Sequence, residues 1–174
     1  MCIRDSFTWL LVNLGTAVLA SMVIGMFDAT IEQMVALAVL MPIVASMGGN
    51  AGTQTLTITV RALATKELTT YNALRTFRKE LAVGFLNGCL FAVLAGGLTI
   101  FWFNELDNAN ALGAIIAGAM VINMVVAGFS GVALPVLLDR MKIDPAIASG
   151  VFVTTVTDVV GFLSFLGLAS ITLL

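Results

Sequence analysis

The sequence predicts an all-α, polytopic membrane protein with five transmembrane helices per subunit, and three observations carry that prediction. Of its 174 residues, 60% are hydrophobic and 10% charged, with a mean hydropathy of +1.08, whereas soluble domains carry about 25% charged residues. The apolar residues gather into runs long enough for a ~30 Å hydrocarbon core, which takes about 20 residues per helix. With the N-terminus in the cytoplasm, Arg4, Arg61, Lys66, Arg75, Arg78, Lys79, Arg140 and Lys142 all fall inside, and the loops on the opposite side hold only Asp28, Glu32, Glu105 and Asp107. That partition follows the positive-inside rule and predicts a multi-pass protein of the inner (plasma) membrane with its C-terminus outside.

Composition also excludes chemistry. The chain has no histidine, which removes the commonest metal ligand, the usual pH switch and every His-dependent triad. Cys2 and Cys89 stand far apart, so neither a disulfide framework nor a zinc site is expected. No phosphate-binding loop accompanies the spans. An enzyme is the least favoured reading, since a lone intramembrane carboxylate has no nucleophile and base beside it.

Residues 1–6 show no cleavage-site pattern and read as a leader outside the fold, with a single domain over 7–174. No soluble regulatory domain is expected in this chain. Segment one covers 7–27, with Trp9 at its interfacial end. After an acidic turn, segment two covers 33–64, roughly 48 Å as one straight helix, so it is expected to tilt, bend or extend beyond the bilayer. Pro42 and the Gly48-Gly49 pair are the expected kink sites.

Residues 65–79 form the one extended polar stretch. Leu68, Tyr71, Leu74 and Phe77 recur there at helical spacing, which predicts a short amphipathic helix at the membrane surface feeding into the next span, or simply a solvated loop helix. Segment three, 80–103, carries Gly84-x-x-x-Gly88 for close helix approach and ends in Phe101-Trp102-Phe103. Segment four covers 109–138 and is rich in small residues. Segment five covers 145–174 and opens with Pro145 in its first turn.

Two places carry groups that lipid alone would penalise. Between Val44 and Thr57 lie three glycines, two carboxamides and several hydroxyls, a composition tolerated at membrane depth where it packs on protein or lines a watery path. Gly48-x-x-x-Gly52 alone is a common packing motif; Asn50 and Gln54, four apart on one face, tilt the reading toward a path. Asp158 is the one ionisable residue deep in a span, at a position where Asp costs about 2.5–3.5 kcal/mol. Gly150, Thr154, Asp158 and Gly161 recur at spacings of four and three, with Thr157 beside them. Asn87 and Asn123 read as glue between helices.

Hard divalent cations take oxygen ligands, and magnesium keeps much of its water. One Asp per chain does not balance a doubly charged ion, but two Asp158 carboxylates across a twofold axis do, and twofold dimers are the commonest oligomers. The residues thus predict a homodimer holding a partly hydrated divalent cation between paired Asp158 side chains. Backbone carbonyls such as that of Thr154 complete the metal shell. Gly48, Gly49, Asn50, Gly52, Gln54, Gly150, Thr157 and Gly161 are the expected pore-lining residues. Two other readings are a proton- or Na+-coupled divalent cation antiporter and a non-transporting scaffold whose glycines only pack helices.

The run Met41-Pro42-Ile43-Val44-Ala45-Ser46-Met47-Gly48-Gly49-Asn50-Ala51-Gly52-Thr53-Gln54, followed by Val60-Arg61-Ala62-Leu63-Ala64, resembles the signature of the MgtE family of magnesium transporters. Trp9 to Leu14 and Gly150 to Gly161 resemble that family too. The resemblance implies a homodimer of five-helix subunits with a pore between them, lined by segments two and five. It implies Mg2+ as the principal ion, with Mn2+, Co2+ or Ca2+ as substitutes, and puts the family's ion-binding aspartate at Asp158. Bacterial members usually carry a cytosolic N-terminal domain, paired CBS modules and a connecting helix that sense Mg2+. This sequence shows none of them, and loss of that feedback is the corresponding expectation.

Overall fold

A computed structural model describes residues 3–68 and 73–173. These form helices α1 (Ile3–Gly25), α2 (Asp28–Gln33), α3 (Val35–Ala64), α4 (Ala73–Trp102), α5 (Ala109–Arg140) and α6 (Pro145–Leu173), with no strand among the described residues. Five of them are long and apolar enough to cross a membrane: Phe7–Gly25, Val35–Ala64, Leu74–Trp102, Ala109–Arg140 and Ala148–Leu173.

Helix α5 is the centre of the bundle, packed on α3, α4 and α6, while α1 lies outside against α6. The pattern explains the order. Helix α5 is apolar on all sides, as a helix surrounded by others should be. In α1, by contrast, Phe7, Leu10, Leu14 and Met22 are exposed toward the lipid. The core is made by Leu37, Leu40 and Val44 of α3, Leu112, Ile116 and Met120 of α5, and Phe165 and Leu166 of α6.

Lipid supplies no hydrophobic drive between helices, so close packing must hold them together. Helices α4 and α5 achieve it through glycine. A Cβ on Gly84 would sit 2.7 Å from the Met124 carbonyl oxygen, and one on Gly128 would sit 2.8 Å from that of Glu80. The expectation for Gly84-x-x-x-Gly88 agrees with this, since a Cβ on Gly88 would meet Val121 Cα at 3.1 Å.

The two acidic connections lie at one end of the bundle, where residues 33–36 and 102–106 line a common cavity of about 660 Å³. The basic connections close the other end. There α3 and α5 stop in left-handed residues, Lys66 (φ 58°) and Lys142 (φ 59°). After α5 the Ile143 amide donates to Leu138 O and the Lys142 amide to Asp139 O, which completes a Schellman turn. Pro145 opens α6 as expected, and Asp144 Oδ1 accepts from the Ala146 amide at 2.9 Å.

Several boundaries differ from expectation. Residues 28–33 are a short helix, and the chain breaks at Met34 (φ −140°, ψ 90°) before α3. Neither Pro42 nor Gly48-Gly49 interrupts α3, which stays helical from Val35 to Ala64 with no glycine at positive φ among the described residues. Gly48 and Gly52 serve close approach to neighbouring helices. Of the helix expected over 65–79 and feeding into the next span, 65–68 form a turn and Ala73 onward runs continuously into α4, while 69–72 lie outside the described residues. Phe77 packs edge-on against Phe129 of α5 at 5.1 Å, which holds that stretch to the bundle. Tyr71, like Cys2, lies outside the described residues. Helix α1 begins at Ile3, inside the stretch read as a leader.

Candidate functional site

Helix α3 has two unlike faces. Leu37, Leu40, Val44, Gly48, Gly52, Thr55 and Thr59 are buried in the bundle. Ser46, Asn50, Thr53, Gln54 and Thr57 are exposed. This exposed face is polar through the middle of an otherwise apolar span. Part of its hydrogen-bonding capacity is met locally, since Thr53 Oγ1 donates to Gly49 O and Thr57 Oγ1 to Thr53 O, both at 2.8 Å. Asn50 Nδ2 reaches Ser46 Oγ at 3.4 Å. The Gln54 carboxamide has no side-chain partner among the described residues.

The opposite face is fixed by one amide. Asn123 of α5 is fully buried and its Nδ2 donates to Val44 O at 2.8 Å. A Cβ on Gly48 would sit 2.2 Å from that nitrogen, and a Cβ on Gly161 of α6 would sit 2.7 Å from it. Asn123 is therefore wedged between two glycines from two helices. Its Oδ1 has no partner and is the one such fully buried side-chain atom among the described residues. One turn on, a Cβ on Gly52 would meet Val153 Cγ1 at 2.6 Å, and one on Gly131 would meet Thr55 Cβ at 2.8 Å. Reading Asn123 as glue between helices matches its bond to Val44 O.

On α6, Thr154, Thr155 and Asp158 are half-buried. Their hydroxyls turn back to the helix: Thr154 Oγ1 donates to Gly150 O and Val151 O, and Thr155 Oγ1 donates to Val151 O at 2.6 Å. Thr157 is fully buried and donates to Thr154 O at 2.9 Å. The Thr154 carbonyl thus already accepts one hydroxyl. Asp158 has no hydrogen bond or ion pair with any described residue. No group of three or more His, Cys, Asp or Glu stands ready to hold a metal among the described residues.

The residues expected along a path fall into two sets. Asn50 and Gln54 are exposed, and Gly49, Gly150, Thr154 and Asp158 are half-buried. Nothing lies within 4 Å of a Cβ built on Gly150, so the backbone there is bare. Gly48, Gly52, Thr157 and Gly161 are buried within the subunit, where they bring α3, α5 and α6 into contact. Gly150 and Gly161, expected on one face, sit in unlike surroundings.

Sequence reasoning passed over Glu80. It is only 7% exposed and accepts a hydrogen bond from Thr55 Oγ1 at 3.4 Å. Standing right after Arg78-Lys79, it reads as the end of a polar stretch. The helical continuity of α4 from Ala73 is the signal that puts it two turns inside the bundle.

Comparison with known proteins now bears on these features. A family model described as a divalent cation transporter, MgtE, matches residues 41–168, from the second turn of α3 to near the end of α6. The chain is similar to proteins named magnesium transporter MgtE in three bacteria. Identity is 32% over 163 residues with Bacillus subtilis (93% of this chain), 34% over 165 residues with Thermus thermophilus (95%), and 31% over 162 residues with Enterococcus faecalis (93%). The aligned part makes up 35 to 36% of those relatives, so the chain spans about a third of their length. By this match, which takes in both the glycine and amide run of α3 and Asp158 of α6, the chain belongs to the MgtE family of divalent cation transporters.

Proposed function

We propose that this chain carries Mg2+ across the membrane, channel-like, through a path formed where two copies meet. Its family is one of transporters and not of enzymes, and the relatives are named for magnesium. The observation that carries the reading is the exposed face of Ser46, Asn50, Thr53, Gln54 and Thr57 on α3 together with the unpartnered Asp158 on α6. In lipid each uncovered polar group costs several kcal/mol. A second copy laid over this face would cover it and bring a second Asp158 to the same axis.

In this reading the paired carboxylates balance a divalent ion that keeps part of its water. The Thr154 carbonyl joins the shell by giving up the Thr157 hydroxyl. Asn50, Gln54, Gly49 and Gly150 line the path, with Gly48, Gly52, Thr157 and Gly161 behind them. Mn2+, Co2+ and Ca2+ are the competing ions. The N-terminus and the basic end face the cytoplasm. A membrane potential of 100 mV then favours entry by ~2.3 kcal/mol per unit charge, so about twice that for Mg2+.

The test is flux into liposomes loaded with a Mg2+-sensitive dye. Asp158→Asn keeps the size and one oxygen but removes the charge, and is expected to reduce uptake to the level of empty liposomes. Wild-type flux from the Asn variant would refute the assignment.

A further inference from the structure

On the side of α3 away from α6, helices α3, α4 and α5 enclose a cavity of about 100 Å³ whose lining includes Gln54, Thr55, Glu80, Gly84, Asn87 and Gly128. It is separate from Asp158. Glu80 is its one carboxylate, buried to all but 7%. Oε2 accepts from Thr55 at 3.4 Å, and no described lysine or arginine pairs with the side chain. Oε1 has no hydrogen-bond partner among the described residues and is not fully sealed off, and the side chain lines the cavity.

A carboxylate taken out of water without a countercharge is strongly destabilising. Beside Ala51, Ile58, Val83 and Met124, the lining offers the Thr55 hydroxyl and, at its exposed rim, the carboxamides of Gln54 and Asn87. The space holds about three waters at ~30 Å³ each. Backbone contact keeps it in place, since Glu80 O lies 2.8 Å from a Cβ built on Gly128. Hard divalent cations favour this combination of one or two carboxylates, neutral oxygens and retained water.

We propose that Glu80, with Thr55, Gln54 and Asn87, forms a second cation site within each subunit, a single-carboxylate site that offsets one of the two charges of a divalent ion and leaves the rest to neutral oxygens and the water the ion keeps. Glu80 lies roughly 10 Å along α4 from Ala73, at 1.5 Å per residue, so the site is near the basic end. Gln54 belongs both to this cavity and to the exposed face of α3. An ion held at Glu80 therefore has a neighbour on that face. The site needs no second copy and does not depend on Asp158.

Mn2+ binding to the purified chain in detergent, read by electron paramagnetic resonance, tests this. Asp158→Asn serves as the background, so that any ion bound there is not at Asp158. That variant is expected to retain one Mn2+ per chain. Adding Glu80→Gln, which keeps an acceptor for Thr55, is expected to weaken the binding at least tenfold. Asn87→Leu, which removes one neutral oxygen and leaves the carboxylate in place, is expected to do the same. It guards against a Gln variant that fails to fold, and helicity and a monodisperse elution profile establish folding for each variant. Absence of bound Mn2+ in Asp158→Asn, or equal binding with and without Glu80 in folded protein, overturns the proposal.

Discussion

Placing an alanine at Gly48 asks whether the glycine run of α3 exists for packing on Asn123. The added Cβ would lie 2.2 Å from Nδ2, 2.6 Å from Cγ and 2.8 Å from Oδ1 of that side chain. Asn123 has no room to retreat, because Gly161 closes the other side at a comparable distance. Either α3 moves away or the bond to Val44 O breaks. Overpacking costs about 1–3 kcal/mol. A buried amide stripped of its partner adds about 1–3 kcal/mol. Gly48→Ala is thus expected to destabilise by about 2–6 kcal/mol on these two terms.

Asn123→Ala behaves differently. It gives up one interhelical bond, worth on average about 0.6 kcal/mol in membranes, and also removes the unpartnered Oδ1, so the expected net loss is about 0.6 kcal/mol or less. In the double variant the new Cβ enters the space the amide has left. The two changes should then fall short of additivity by about 2 kcal/mol or more, where independent sites add to within about 0.5 kcal/mol. Reversible unfolding in mixed micelles of rising dodecyl sulfate fraction, followed by circular dichroism, measures all three variants. Additive losses would refute the wedge.

Other outcomes follow from the same geometry. Gly52→Val would press on Val153 Cγ1, 2.6 Å from the Cβ position, and should cost about 1–3 kcal/mol, largely recovered by adding Val153→Ala. Thr157→Val keeps the buried volume but removes the hydroxyl from Thr154 O; stability should change by about 1 kcal/mol or less. If that carbonyl binds the ion, Mg2+ should protect this variant from thermal unfolding at lower concentrations than wild type. Asn50→Cys, with Cys2 and Cys89 replaced by Ser, should cross-link two copies under oxidation. Persistent monomer in folded, lipid-reconstituted protein would count against the paired path. For orientation, Asp107→Cys should react with an impermeant maleimide from outside intact cells and Lys142→Cys should not.

Much of this molecule was legible because the bilayer constrains the pattern so strongly. Span number follows from length and polarity, and Asp158 stands out as a charge far from any interface. The boundaries that differ have local causes. Segment four, expected to end at 138, runs on to Arg140, and Lys142 beyond it takes the left-handed conformation that glycine usually signals at a helix end. The stretch before Glu80 has the spacing of an amphipathic helix in either setting, and only Phe129, far along the chain, decides that it packs on α5. Within the glycine run, residues two apart lie about 200° apart on a helix. Gly48 and Asn50 accordingly face opposite ways, one into the bundle and one out of it. Asn123 was recognisable as an amide needing a partner, but its place between Gly48 and Gly161 depends on three helices meeting at one point.

That meeting point has a mechanical consequence. Asn123 touches a glycine on α3 and another on α6 while bonded to Val44 O. Rotating either helix alone drives a neighbouring backbone into the amide or tears the amide from its acceptor. Rotations of α3, α5 and α6 are therefore coupled through one side chain. If two copies enclose a path, that coupling favours subunits rocking against each other over the walls of a single subunit splaying.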